Sequence, residues 1–148
     1  MTDYETLARE LKAISEGVKK ETTILSNASA LIYDSMDGLN WCGFYLLEDG
    51  VLYLGPFQGK VACTEIEVGK GVCGTAIARG ETVLVRDVHE FAGHIACDSA
   101  SNSEIVVPMR KNGVLYGVLD IDSPELSRFD EIDQKGLEQA VSVIERFL

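Results

Sequence analysis

The chain is short of positive charge: its 148 residues carry 13 lysines and arginines against 24 aspartates and glutamates, a formal net charge of −11. A surface that neutralises phosphates is therefore missing, which argues against nucleic acid and anionic membranes as partners. Equally missing is an apolar run approaching the roughly 20 residues of a membrane-spanning helix. The opening Met1-Thr2-Asp3-Tyr4-Glu5 lacks the basic and apolar regions of a secretory signal, so a cytoplasmic location is expected. There is no internal repeat, no C-x-x-C pair, and no loop with the twelve-residue ligand spacing of an EF-hand. No segment is polar enough to stay disordered, and at 46% hydrophobic residues the length suits one core.

What is present is patterned. Tyr4, Leu7, Leu11, Ile14 and Val18 recur at helical steps, as do Leu25, Ala28, Ile32 and Met36, which predicts two amphipathic helices. Trp41 to Leu47 and Val51 to Phe57 are apolar runs joined through Asp49-Gly50, a hairpin signal. Val61 to Val68 reads as a further strand, the glycine-punctuated Gly69 to Gly74 leads into a short helix over Thr75 to Arg79, and Thr82 to Val85 returns to strand. Residues 87–103 hold both histidines, Cys97 and a polar run, and read as a long loop beside a site. A second hairpin, Glu104 to Arg110 and Val114 to Asp122, precedes a closing helix whose stripe is Ile132, Leu137, Val141, Ile144 and Leu148. The expected architecture is α+β: a central antiparallel β-sheet with helices from both termini packed on one face.

Strand alternation places Asp120 and Asp122 on one face of their strand and Leu119 and Ile121 on the other. A two-residue turn at Asn112-Gly113 would set Glu104 opposite Ile121 and mix apolar with acidic positions on both faces. A three-residue loop, Lys111-Asn112-Gly113, sets Arg110 opposite Val114 and Glu104 opposite Asp120, and separates the faces. The three-residue loop is therefore expected, with Ile105, Val107, Met109, Leu115, Leu119 and Ile121 facing the helices and Glu104, Asp120 and Asp122 converging on the other side. Such a cluster is either solvated surface or a site in which neighbouring carboxylates hold one another's protons. Calcium is disfavoured for want of a ligand loop.

In a reducing compartment the four cysteines serve packing, metal or redox chemistry rather than a permanent disulfide framework. Cys42, inside an apolar strand, is expected to pack. Cys63, Cys73 and Cys97 adjoin polar or glycine-rich sequence and are expected to be accessible. Zinc is disfavoured because Cys63 and Cys73 stand nine intervening residues apart, so no metal is expected. His89 and His94 read as loop residues or hydrogen-bonding partners, either able to assist a thiolate.

The segments Asn40 to Tyr45, Leu54 to Gly59, Gly69 to Gly74, Gly93 to Pro108 and Gly117 to Pro124 together resemble the free methionine-(R)-sulfoxide reductases, from about Asn40 to Glu138. The resemblance implies a single GAF domain over residues 1–148. It implies that Cys97 attacks the sulfoxide sulfur, that Cys63, with Cys73 as a relay, condenses with the resulting sulfenic acid, and that thioredoxin reduces the disulfide. Glu104 or Asp122 would protonate the departing oxygen, and Asp120 with its neighbours would hold the substrate ammonium. Trp41 would wall the S-methyl group, or simply pack, and backbone N–H groups of Ser99 to Ser103 would meet the α-carboxylate. No cofactor is implied; homodimerisation is left open. Generic GAF modules hold small effectors, so the alternatives are a binding module or a cysteine redox sensor without turnover. The lack of length for an output domain weighs towards an enzyme.

Overall fold

The computed structural model describes residues 1–95, 97 and 100–148. Two helices, α1 (Tyr4–Ser15) and α2 (Glu21–Ser35), precede a hairpin of β1 (Trp41–Glu48) and β2 (Val51–Gly59). A short β3 (Glu65–Glu67), helix α3 (Gly71–Arg79), β4 (Val83–Val85) and a single 3-10 turn at Val88–Glu90 follow. The second hairpin is β5 (Ser103–Lys111) and β6 (Val114–Ser123), and α4 (Glu131–Glu145) closes the chain. The strands form one antiparallel sheet in the order β3-β2-β1-β6-β5-β4. Among the described residues no helix is long and apolar enough to cross a membrane.

The helices start where side chains can satisfy their free N–H groups. The Asp3 carboxylate accepts from Thr6 N at 3.0 Å to open α1. Asp130 and Asp133 cap each other's backbone to open α4, and Tyr4 Oη donates to Asp133 at 2.5 Å, tying the first helix to the last. Leu7, Leu11, Leu25, Ile32, Leu137 and Ile144 then pack with Cys42, Phe44, Ile105, Met109, Leu119 and Ile121 in one cluster on one sheet face. The opposite face carries a second cluster, in which α3 covers Trp41, Tyr45, Val106 and Val118. Helices from both termini thus share one face, as expected, and the crossing helix α3 lies alone on the other.

The β5–β6 turn corrects the expected loop. Lys111 pairs with Val114, leaving a two-residue turn of Asn112 (φ 53°) and Gly113 (φ 78°), both left-handed as the tight hairpin turn requires. Arg110 pairs with Leu115 but Met109 with Gly117, so Tyr116 is an extra residue, a β-bulge. The bulge supplies the one-residue offset assigned above to the loop. The faces separate cleanly, but Glu104 lies opposite Asp122 rather than Asp120, and Asp120 lies opposite Val106. Leu115 consequently packs with the α3-side cluster instead of the helix-covered face, where Tyr116 takes its place and donates to Glu21 Oε2 at 2.6 Å.

Other expectations shift by smaller amounts. The strand read over Val61 to Val68 is regular only at Glu65–Glu67, and α3 begins at Gly71 rather than Thr75. Ile14 and Ile132, assigned to buried stripes, are exposed. At the crossing of β1 and β2, a Cβ on Gly43 would lie 2.3 Å from Phe57 Cβ and 2.7 Å from Trp41 Cη2. Only a missing side chain lets the Trp41 ring lie flat there. Gly43→Ala should therefore destabilise by about 1–3 kcal/mol, the scale of overpacking in a rigid core, read as a lower urea midpoint with unchanged slope. An unchanged midpoint would show that Trp41 and Phe57 yield freely.

Candidate active site

The face away from the terminal helices holds a cavity of about 40 Å³, with Trp41 and Tyr45 of β1, Val72 and Cys73 of α3, Glu104 of β5 and Asp120 and Asp122 of β6 in its wall. Two loops close it: Val61 and Ala62 from one side, His94, Ile95, Cys97 and Ser101 from the other. The sheet sets the positions. In β6 the alternate residues Asp120 and Asp122 face the cavity, Glu104 lies opposite Asp122 on β5, and Gly43 and Trp41 lie opposite Asp120 and Asp122 on β1. Gathering three carboxylates follows from alternation in two paired strands.

Strand β1 also anchors the loop that carries Cys63. Trp41 Nε1 donates to Lys60 O at 3.1 Å and Tyr45 Oη donates to Cys63 O at 2.9 Å. The Trp41 ring stacks on Phe57, with centroids 5.1 Å apart, and on Tyr45 at 5.9 Å. The facing segment is tied down past its end: Asn40 Nδ2 donates to Ser101 Oγ at 3.0 Å, and Asn102 N to Ser123 O at 2.8 Å. A disulfide joins Cys63 to Cys97, with Cα atoms 5.4 Å apart, and so links the two loops over the carboxylates.

The electrostatics of the site follow from burial. Glu104 is 7% exposed and Asp120 6%. An ionised carboxylate removed from water without a cation is far costlier than a neutral one, so such a group keeps its proton. Burial pushes the Glu104 carboxyl well above its usual range, and the charges of Asp120 and Asp122 push it further. Burial also raises Asp120, but hydrogen bonds from Glu104 and Cys73 and the nearness of His94 pull it back. The Cys73 thiol is raised well above its usual value, first by burial and then by Asp120 and Glu104. The emerging state has protons on Glu104 and Cys73 directed at Asp120, whose Oδ1 is buried without a hydrogen-bond partner. A buried acceptor left open in this way is suited to a donor from a ligand.

Cys73, Glu104 and Asp120 place ligand atoms within 4.8 Å of one another, near enough to surround a cation. His94 Nε2 lies 3.9 Å from Glu104 Oε1, its imidazole held below its usual pKa by burial and by His89. His89 faces away, bonded to Asp87 at 2.8 Å.

The predicted site residues Trp41, Cys63, Cys73, Cys97, Glu104, Asp120 and Asp122 thus come together around one cavity and its covering disulfide. Cys42, expected to pack, is buried, and it lies on the opposite, helix-covered face. Cys73, expected to be accessible, is buried, because α3 starts at Gly71 and turns it inward in its first turn. Tyr45, Val72 and Ile95 were not singled out by sequence; alternation from Trp41 through Gly43 carried the signal for Tyr45. Of the loop assigned to the substrate carboxylate, Ser99 lies outside the described residues, Ser101 lines the cavity, and Ser103 Oγ is turned away to donate to Glu125 O at 2.6 Å.

A six-stranded antiparallel sheet with terminal helices on one face and a recess under a crossing helix on the other is a GAF architecture, and the GAF domain family matches residues 21–147. The chain belongs to that family, and within it to the free methionine-R-sulfoxide reductases. It is 52% identical over 145 residues to the free methionine-R-sulfoxide reductase of Escherichia coli (strain K12), covering 98% of this chain and 88% of that one. The reduced form of Staphylococcus aureus fRMsr superposes with a TM-score of 0.97 at 51% identity, covering 100% of this chain and 96% of that one. The free methionine-R-sulfoxide reductase of Neisseria meningitidis, in complex with its substrate, gives a TM-score of 0.93 at 40% identity over 97% and 87% of the two chains.

Because folding raises the pKa of Glu104, its stabilising contribution is fully present below the unfolded value and is lost as pH rises through the folded one. The unfolding free energy in urea should therefore decline as pH rises above the ordinary glutamate range, and Glu104→Gln, which has no proton to lose, should decline less. Parallel curves for the two proteins would mean that Glu104 is already ionised when folded.

Proposed function

We propose that this chain is an oxidoreductase that reduces free methionine (R)-sulfoxide to methionine with its own cysteines. The observation that carries the reading is the Cys63–Cys97 disulfide lying over a buried Glu104, whose carboxyl burial pushes well above its usual range, and an unpartnered Asp120 oxygen. A thiol reductant, an acid and an ammonium acceptor are the three groups the reaction needs, and membership of the reductase family supplies the substrate.

In the reaction the Cys97 thiolate attacks the sulfoxide sulfur while Glu104, assisted by Asp122, protonates the oxygen. In the sulfur–sulfur adduct the protonated oxygen passes from the substrate sulfur to the Cys97 sulfur, the substrate S–O and S–S bonds break, and methionine leaves with Cys97 as a sulfenic acid. Cys63 then attacks the Cys97 sulfur, water departs, and the disulfide closes; thioredoxin restores both thiols by exchange. Asp120 accepts the ammonium of the free amino acid, which a peptide-bound residue lacks, and Trp41 provides the apolar wall for the S-methyl group. The buried Cys73 thiol, with its raised pKa, suits a hydrogen-bond donor to Asp120 better than a relay thiolate. The same reading takes residues 1–148 as one GAF domain working in the cytoplasm, with homodimerisation a separate question.

A thioredoxin-coupled NADPH assay with R and S epimers of free methionine sulfoxide, and with a peptide-bound substrate, tests the activity. Turnover is expected on the free R epimer alone; preference for the peptide would overturn the reading, and disulfide formation without turnover would make the chain a redox sensor. Cys97→Ser should release no methionine from pre-reduced protein. Cys63→Ser should release about one methionine per chain and stall, because sulfenic acid forms without being resolved; multiple turnovers at the native rate would move the resolving role elsewhere. Glu104→Gln should slow the reductive step by about 10²- to 10⁴-fold, the scale of general acid catalysis. Asp120→Asn should instead act chiefly on KM.

A further inference from the structure

Glu104 is buried beneath the disulfide-bearing loops, and each sulfoxide it protonates leaves it without its proton. None of its acidic neighbours can readily replace that proton. Asp120 and Asp122 on β6 are acceptors in the same cluster, and the Cys73 thiol on α3 is itself buried and engaged with Asp120. His94 differs from all of them. It is the one imidazole among the described residues lining the cavity, its side chain is 17% exposed against 9% for Glu104, and it stands three residues before Cys97 on the same loop.

We propose that His94 is a proton-relay residue acting through Glu104: with Nε2 3.9 Å from Glu104 Oε1 at the rim of the cavity, it takes the proton of the Cys97 thiol and delivers it to the buried acid. The distance exceeds a hydrogen bond in this disulfide form, and a small ring rotation or one bridging water closes it. A backbone hydrogen bond from His94 N to Phe91 O at 3.2 Å fixes the start of the turn that presents the ring. The titratable groups around the imidazole are Glu104 on β5, Asp120 and Asp122 on β6, Cys73 on α3, Cys97 on its own loop and, within the 3-10 turn, His89, whose ring is bonded to Asp87. Burial and His89 favour the neutral ring, which can accept a proton, and Asp120 opposes them, which keeps the protonated ring attainable.

The relay balances. Cys97 gives its proton to His94, and its sulfur attacks the substrate sulfur. Glu104 gives its proton to the sulfoxide oxygen, and His94 restores the proton to Glu104. The substrate sulfur is reduced, the Cys97 sulfur is oxidised to the sulfenic acid that carries the oxygen and its proton, and no proton is drawn from solvent. Cys63 then supplies the second proton of the departing water when the disulfide closes.

The inference rests on the reductase reading above, and the test separates the two. Pre-reduced full-length protein is mixed with free methionine (R)-sulfoxide, and the single-turnover release of methionine is followed between about pH 5.5 and about pH 9, where an imidazole titrates. His94→Gln keeps a hydrogen-bonding amide near the Nε2 position but cannot carry the proton. It should release methionine about 10- to 100-fold more slowly, bind the sulfoxide within about twofold of the native affinity, and lose the imidazole limb of the pH profile. His94→Ala should behave alike, with added imidazole restoring part of its rate and none of that of Glu104→Gln. If His94→Ala does not fold, His94→Gln alone decides through rate and pH profile. Native rate and pH profile in His94→Gln, with the unsubstituted protein active, would overturn the relay and leave the reductase reading intact; a matching loss of affinity and rate would reduce His94 to a binding role and also overturn it. No methionine release from the unsubstituted protein would overturn both.

Discussion

A carboxyl group buried without a counter-cation keeps its proton, and this constraint organises the molecule around its cavity. Two strands carry the acids inward, α3 seals them from water, and the resulting pocket holds an acid that stays protonated where an exposed glutamate would have ionised. The same burial has opposite uses at the two nearest cysteines. For Cys73 it suppresses the thiolate and leaves a donor for Asp120; Cys97, on a loop at the cavity's edge, is joined instead to Cys63. Two cysteines beside one cavity thus differ in state by their depth.

The terminal helices work at a distance from this chemistry. Their apolar stripes fix the sheet from behind through Ile105, Met109, Leu119 and Ile121, and strand alternation turns the residues between them toward the cavity. Trp41 connects the α3-side cluster to the loop that carries Cys63: its ring lies over Gly43, stacks on Phe57 and Tyr45, and its indole N–H holds the backbone at Lys60, three residues before Cys63. Cys63 is thus positioned from the strand that also carries Trp41, and the two features are one packing unit.

Much of this was legible in the sequence because it depends on alternation, which is local. Asp120 and Asp122 on one face, the packing of Cys42, and the existence of both hairpins followed from period-two patterns, apolar runs and glycine turns. The β5–β6 register was read with the correct parity and the wrong partner. A loop residue and a bulge each shift parity by one, so an apolar pattern cannot tell them apart; the choice fell to Tyr116, whose hydroxyl reaches Glu21 on α2. The burial of Cys73 was illegible for a related reason. Its sequence neighbours are small, and the covering contact comes from where α3 begins, which depends on Gly71 (φ 61°) and the strands beneath it. His94 stood out as a loop histidine, but its nearness to Glu104 joins two segments that no periodicity connects.

The bulge has a consequence for how such a hairpin can change over generations. Because the offset at Tyr116 lies between the Asn112-Gly113 tip and the Glu104–Asp122 pair, the tip and the base of the hairpin are mechanically independent. Losing one residue there would straighten the ladder without re-aiming an acid, and gaining one at the tip could be offset by losing the bulge. Length at this end of the protein is free to drift by single residues, whereas a single insertion between Val106 and the end of β5's acidic start would turn Glu104 away from the site. The bulge is slack, and losing it would cost the Tyr116–Glu21 hydrogen bond rather than the aim of an acid.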